Sequence, residues 1–347
     1  MKVYYSEAHR QHDAPFEILE GGVSVPVFEC PERMDRILAA LATTGWAEVT
    51  PPRDFGPEPV RAVHAADYLD YLQTAYADWQ AEGGQLGIET LSPVLYPATF
   101  PPRRGRGKPR SVVGRAGYYT MDLSAPIVAG TYPAAAASAQ CALSAAEEVA
   151  RGDRVAFALC RPPGHHAGRD YAGGYCYLNN AAIAARYLTR RGKVAVVDVD
   201  YHAANGTQDI FYEAGDVLTI SIHADPARQY PYFVGYADET GEGPGAGLHR
   251  NFPLPPGTGD AAYLRVLDEA LALVRAFGPE SVVGWAGMDI YAGDPLGDFA
   301  VTAEGIRAIG RGLAALHRPT VVVMEGGYNN EALGENVVGL LSAFGGD

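Results

Sequence analysis

The chain of 347 residues is poor in cysteine, with only Cys30, Cys141, Cys160 and Cys176, and none of these falls in CxxC spacing. That argues against a disulfide framework and against a thiolate zinc cluster. No run of about 18 apolar residues occurs, so no membrane-spanning helix is expected. The opening stretch MKVYYSEAHRQHD lacks the apolar core of a signal peptide. Basic residues are also scarce: 27 Lys and Arg stand against 41 Asp and Glu, a net charge of −14 with no basic run. Such a surface repels nucleic acid and anionic membranes and favours cationic ligands. Together these absences predict a reduced, cytoplasmic, soluble protein, and 48% hydrophobic residues are enough for a large core.

What is present is an alternation of strand-like and helix-like segments from about Val155 onward. Short, β-branched, almost wholly apolar runs cover Val155–Cys160, Lys193–Asp200, Val217–His223, Ser281–Gly287 and Thr320–Gly327. Strands of a parallel sheet covered on both faces have this character. Helical stretches such as LNNAAIAARYLTRRG, DAAYLRVLDEALALVRAFG and TAEGIRAIGRGLAALH lie between them. The pattern predicts a doubly wound α/β fold, an open, mostly parallel sheet with helices on both faces. No composition break divides this half, so residues 1–347 are read as one domain. The stretch of about 78–127, with its Pro-, Gly- and Arg-rich PVLYPATFPPRRGRGKPR, reads as a long loop or insertion.

In open α/β sheets ligands bind beyond the carboxyl ends of the strands. Four of the predicted strands are followed there by titratable groups that the chemistry of a site could use. His165 and His166 follow the first, held between Pro162, Pro163 and Gly164 on one side and Gly168 on the other. Asp198, Asp200 and His202 follow the second and alternate, so they share a face. Asp289 follows the fourth, and EGGY, ending in Tyr328, the fifth. Asp200, His202 and Asp289 would make three protein ligands and leave a coordination position open, as a catalytic metal requires. Each histidine of the pair could be a further ligand or a general acid or base. A base needs an orienting partner, which Asp198 could be for His165 and Asn205 for His166. After two permissive glycines, the Tyr328 hydroxyl could donate to an oxyanion.

Taken together, ECPERMDRI, RPPGHHAGRDYAGGYCYLNNAAIAA, DVDYHAANGTQDIFY, SIHADP, GYADETGEGPGAG, GMDIYAGDPLG and VVMEGGYN resemble the zinc-dependent deacetylases of the histone deacetylase superfamily, most of all its bacterial acetylpolyamine amidohydrolase branch. These segments run from about Glu29 to Asn329. The resemblance implies the arginase/deacetylase-like α/β fold and a zinc-dependent amidohydrolase that removes acetyl or short acyl groups from N-acetylated polyamines or similar amines. It implies Zn²⁺ at Asp200, His202 and Asp289, with His165 and His166 as the tandem histidines and His166 the general base. Asp198 would pair with His165, Asn205 with His166, and Tyr328 would polarise the scissile carbonyl. A structural K⁺ or Na⁺ is implied at Asp198, Asp200, His202, Ser221 and Ile222, partly through backbone carbonyls. Tyr175, Tyr230 and Gly174 match positions along the substrate tunnel. The implied partners are a small cationic acetylated amine and a second copy of the chain, the homodimer forming through residues 78–127.

One departure stands out. After DVDx the family usually reads HHGNG or HHGDG, and this chain has HAANG, with Ala203 and Ala204. Alanine at a glycine position predicts strain if the backbone there needs a positive φ. An arginase-like dimanganese site would need a second carboxylate after Asp289, where Ile290 and Tyr291 stand. A lysine deacetylase acting on proteins or peptides, and a non-catalytic acyl-ligand binding protein, are the alternatives to polyamine hydrolysis.

Overall fold

A computed structural model describes residues 1–19, 22–85, 92–102 and 107–345. The strands are β1 (Lys2–Tyr4), β2 (Glu17–Leu19), β3 (Val23–Val25), β4 (Glu48–Thr50), β5 (Val155–Ala158), β6 (Val194–Asp198), β7 (Val217–Ala224), β8 (His249–Leu254), β9 (Ser281–Ala286) and β10 (Thr320–Met324). The helices are α1 (Glu32–Leu41), α2 (Glu58–Arg61), α3 (Ala66–Gln85), α4 (Val112–Tyr118), α5 (Thr131–Arg151), α6 (Asn180–Leu188), α7 (Asn205–Phe211), α8 (Asp260–Phe277), α9 (Ala303–Ala314) and α10 (Leu333–Gly345).

Eight strands form one sheet in the order β4-β1-β5-β10-β9-β6-β7-β8, and β2 pairs with β3 in a separate hairpin. Every neighbouring pair in the large sheet is parallel. The expected mostly parallel sheet is thus parallel throughout, and all its strands end at the same edge. The five expected strands are all present and occupy its centre. β1, β4 and β8 add to them on the flanks.

Both sheet faces are covered, and the two-residue period of the strands divides the core between them. Val194, Val196, Val283, Trp285, Val321 and Val323 point to the face packed by α5 and α6. Ala195, Val197, Val282, Ala286, Val322 and Met324 point to the face packed by α8, α9 and α10. Each such Val or Met taken fully out of water contributes roughly 1.5–3 kcal/mol, which is why the runs are apolar on both sides. Helix starts are fixed locally: the Asn179 side chain accepts from the Ala182 N–H at 2.9 Å, and Thr302 from Gly305 at 3.1 Å.

The stretch expected to be a loop is more ordered than that. Asp78 lies inside α3, and α4 follows within the same segment. Val94, Leu95, Val112, Tyr119 and Ile127 are buried, and Leu95 pairs with Ile127 across an isolated bridge. The apolar side chains set between its prolines supply this packing. Residues 86–91 and 103–106 of that segment, including all of RRGR, lie outside the described residues. Among the described residues no helix is long and apolar enough to cross a membrane.

Candidate functional site

The four central neighbours β5, β10, β9 and β6 each send a loop from the same edge of the sheet, and these loops meet. From β5 come His165 and His166, whose rings lie 3.9 Å apart between centroids. Nδ1 of His165 is 3.0 Å from Oδ2 of Asp198 at the end of β6. Nδ1 of His166 is 2.6 Å from Oδ1 of Asn205, the first residue of α7. An amide oxygen only accepts, so Nδ1 of His166 carries the proton and Nε2 keeps its lone pair. Both pairings match the partners expected from sequence.

The same loops gather Asp200, His202 and Asp289, each offering a ligand atom within 4.8 Å of the others. Nδ1 of His202 is 3.0 Å from Oδ2 of Asp289 and 3.5 Å from Oδ1 of Asp200. Backbone N–H groups hold the remaining carboxylate oxygens: Tyr201 donates to Oδ1 of Asp289 at 2.9 Å, and Gly326 to Oδ2 of Asp200 at 3.0 Å. Gly326 is needed there, since a Cβ on it would sit 2.6 Å from Oδ2 of Asp289 and 2.7 Å from Oδ2 of Asp200. Asp200 and Asp289 are completely buried, and among the described residues no Lys or Arg is ion-paired with either. Two desolvated carboxylates sharing one imidazole are the donor set of a divalent cation, whose charge would offset their mutual repulsion. The residues present therefore fit a metal.

The charges respond to this crowding. Burial, reinforced by the neighbouring Asp200, pushes Asp289 up to about 7. Burial opposes charge on His165, but the Asp200 and Asp198 carboxylates outweigh it and hold the ring up at about 10. His166 is driven the other way, well below the ordinary histidine value, first by burial and then by the positive His165 beside it. The two adjacent imidazoles are thus split into one cationic ring and one neutral ring, each suited to a different proton task.

A cavity of about 440 Å³ opens onto these groups. His166, His202 and Tyr328 line it, together with Tyr175, Tyr230 and Gly174. The Tyr230 ring stands edge-on to His166 at 4.8 Å, and Tyr175 faces Tyr328 at 5.7 Å. Gly174 has φ +51°, and its N–H donates to Asp122 at 2.9 Å. Tyr328 is fixed through its backbone, its N–H donating to Oδ2 of Asp294 at 2.7 Å, and the Arg33 guanidinium lies 5.0 Å from its ring centre.

Ser221 pairs with Asp198 across β6 and β7, which brings it beside the expected monovalent-cation group. Its hydroxyl lies 2.7 Å from Nδ1 of His223, whose Nε2–H donates to the Gly235 carbonyl. The Ile222 side chain is buried in the core, so only its backbone faces that group. The strain expected at Ala203 and Ala204 is absent. Ala204 has φ −75°, and neither residue is among those with positive φ, so this turn does not use the conformation that glycine favours. Ala203 is instead buried beside Gly235, where a Cβ would lie 2.7 Å from the alanine methyl.

Several residues around the site were not singled out from sequence. Oε2 of Glu325 accepts from the N–H groups of Gly164 at 2.8 Å and His165 at 3.2 Å, so it shapes the histidine loop. Glu29 sits between the buried Arg33 and Arg161 at 2.8 and 3.0 Å. Arg33 also donates to the Gly327 carbonyl at 2.7 Å and to that of Glu325 at 2.5 Å. Asp122 receives the Tyr230 hydroxyl at 2.5 Å. All of these residues but Asp122 lie within or next to the motifs already quoted, and the one available signal was a charged residue in an apolar setting.

With this geometry in hand, the likeness to known proteins is specific. The histone deacetylase domain profile matches residues 27–344. Acetylpolyamine amidohydrolase 1 of Pseudomonas aeruginosa is 47% identical over 99% of this chain and 98% of its own length. The acetylpolyamine amidohydrolase of Mycoplana ramosa is 43% identical over the full length of both. The crystal structure of acetylpolyamine aminohydrolase from Burkholderia pseudomallei superposes with a TM-score of 0.93 at 41% identity, covering 99% of this chain and 98% of that one.

Proposed function

The chain belongs to the histone deacetylase family, and from that premise we propose that it is a zinc-dependent acetylpolyamine amidohydrolase, cleaving N-acetylated polyamines or similar amines to acetate and free amine. The observation that carries the reading is the meeting of Asp200, His202 and Asp289 at a cavity whose walls also present His166 and Tyr328. Asp200, His202 and Asp289 would hold the zinc, which when bound would supply Lewis acidity to an acetamide carbonyl and to water.

The chain's own residues do the rest. Nε2 of His166 removes a proton from the attacking water, for which its neutral state suits it. The Tyr328 hydroxyl donates to the carbonyl oxygen as it becomes an oxyanion. The proton taken up by the histidine pair passes to the amine nitrogen as the C–N bond breaks, so the amine leaves as the neutral base and acetic acid remains. The released amine then takes up the acid's proton, giving acetate and an ammonium product. Asn205 holds the His166 ring in the productive tautomer, and Asp198 holds His165. Tyr175, Tyr230 and Gly174 form the walls along which the alkyl chain lies.

The same reading treats residues 1–347 as one catalytic domain, with the 78–127 segment building a homodimer. It includes a structural K⁺ or Na⁺ at Asp198, Asp200, His202, Ser221 and Ile222, supported by the cross-strand pairing of Asp198 with Ser221. Acetate release by zinc-loaded protein from acetylputrescine, acetylspermidine and acetyl-lysine peptides tests it. Turnover of the acetylpolyamines above the peptides is expected. A preference for peptides would move the protein to the lysine deacetylases, and ligand binding without acetate release would make it a binding protein.

A further inference from the structure

Among the described residues, the cavity that receives the acetyl group is lined by four tyrosines and by no Lys or Arg, and by one carboxylate, Asp298. Asp298 is solvent-exposed, in contrast to the buried carboxylates at the cavity floor. It stands on the loop that leaves Asp289, and it is held in place. The Tyr201 hydroxyl donates to Oδ1 at 2.7 Å, the Gln229 amide to Oδ2 at 3.4 Å, and its own carbonyl accepts from the Gly257 N–H at 3.0 Å. Among the described residues no Lys or Arg forms an ion pair with it, so its charge is not cancelled by a neighbour.

Tyr201 sets the separation between this carboxylate and the reacting centre. Its N–H donates to the Asp289 carboxylate, its ring lies 4.9 Å from that of His202, and its hydroxyl ends at Asp298. A substrate whose acetamide lies against His202 and Tyr328 therefore reaches Asp298 across about one tyrosine side chain. A short methylene chain spans that gap. Oriented tyrosine faces beside a fixed carboxylate favour a cation at the far end of such a chain.

We propose that Asp298 is the anchor for the free ammonium group of the substrate, a specificity residue that makes N-acetylated diamines better substrates than neutral N-alkyl acetamides. The proposal rests on the amidohydrolase reading and refines it. Asp298→Asn keeps an acceptor for the Tyr201 hydroxyl, removes the charge, and gives up only the long 3.4 Å bond from the Gln229 amide. The measurement is kcat/KM of zinc-loaded parent, D298N and D298E proteins on N-acetylputrescine and on N-pentylacetamide, its isosteric neutral counterpart. In D298N the ratio of the two values should fall by about tenfold, the low end for a hydrogen bond to a charged group. In D298E it should return to within about threefold of the parent, which a merely structural role would not produce. A ratio in D298N within about twofold of the parent, the range of an exposed charge that meets nothing, would overturn the assignment while leaving the hydrolase intact. Absence of acetate release from both amides by the parent would instead refute the hydrolase reading, and the anchor with it.

Discussion

Gly174 gives the most direct access to the catalytic geometry. Replacing it with alanine has two separable effects. Its φ of +51° lies in the left-handed region, where an L-residue costs roughly 1 kcal/mol. The new methyl would also stand 2.7 Å from Cγ of His166, closer still to Cδ2, and 2.9 Å from the Tyr230 hydroxyl. Carbon atoms settle at about 3.5–4.0 Å, so the His166 ring must retreat by roughly 1 Å. A displacement of that size in a catalytic group costs on the order of 10²-fold in rate. Gly243 supplies the control, since its φ is +52° and nothing lies within 4 Å of its missing Cβ. Gly243→Ala should therefore lose about 1 kcal/mol by urea denaturation, and Gly174→Ala roughly 1–3 kcal/mol more for the buried overlap. Only Gly174→Ala should lose activity, about 10²-fold in kcat for acetylputrescine. If it retained activity within about fivefold of Gly243→Ala, the placement of the base beside this wall would be wrong.

Tyr328→Phe should lower kcat by about 10²–10³ with little change in KM, as expected for a lost oxyanion donor, and near-parental turnover would remove Tyr328 from that role. Chelation should abolish acetate release and zinc should restore it; loss of folded stability on chelation, followed by differential scanning calorimetry, should accompany it because Asp200 and Asp289 then remain buried together. His64 offers a pH dependence away from the reacting groups. Burial pushes it down to about 4, and its Nε2 accepts the Asn179 N–H at 2.9 Å, which requires the neutral ring. The unfolded chain takes up a proton near pH 6.5 and the folded one does not until about 4, so stability is lost as pH falls through that window. The full loss is about 3 kcal/mol for this residue. Urea midpoints between pH 7 and 4 measure it, and an NMR titration of the His64 ring centred near 6.5 would contradict the mechanism.

The legible part of this fold was the part written in local pattern. β6, β9 and β10 are continuous apolar runs because both of their faces are covered, and no other environment asks for that. β1 and β4 have three residues each and β8 reads HRNFPL, so neither length nor apolarity separated them from loop. The clustering of the candidate site's side chains was legible because titratable residues interrupt apolar strands at their carboxyl ends. Their supports were not. Glu325 meets His165 across 160 residues of chain, and Arg161 meets the Glu29 carbonyl across 132, so no spacing in the sequence announces either contact. The expected strain at Ala203 and Ala204 failed for a related reason: residue identity suggested a backbone angle that the fold does not use there.

The parallel sheet has a corollary for how such a protein can diversify. Asp200, His202 and Asp289 leave the ends of β6 and β9 within a few residues, tied down by the strands themselves. Asp298 stands farther out along the connection after β9, and Gln229 and Tyr230 stand on the one after β7. Hydrolytic competence and choice of amine are therefore inherited from different stretches of these connections. Grafting new outer segments onto an unchanged sheet should yield relatives that share one chemistry while competing for different metabolites.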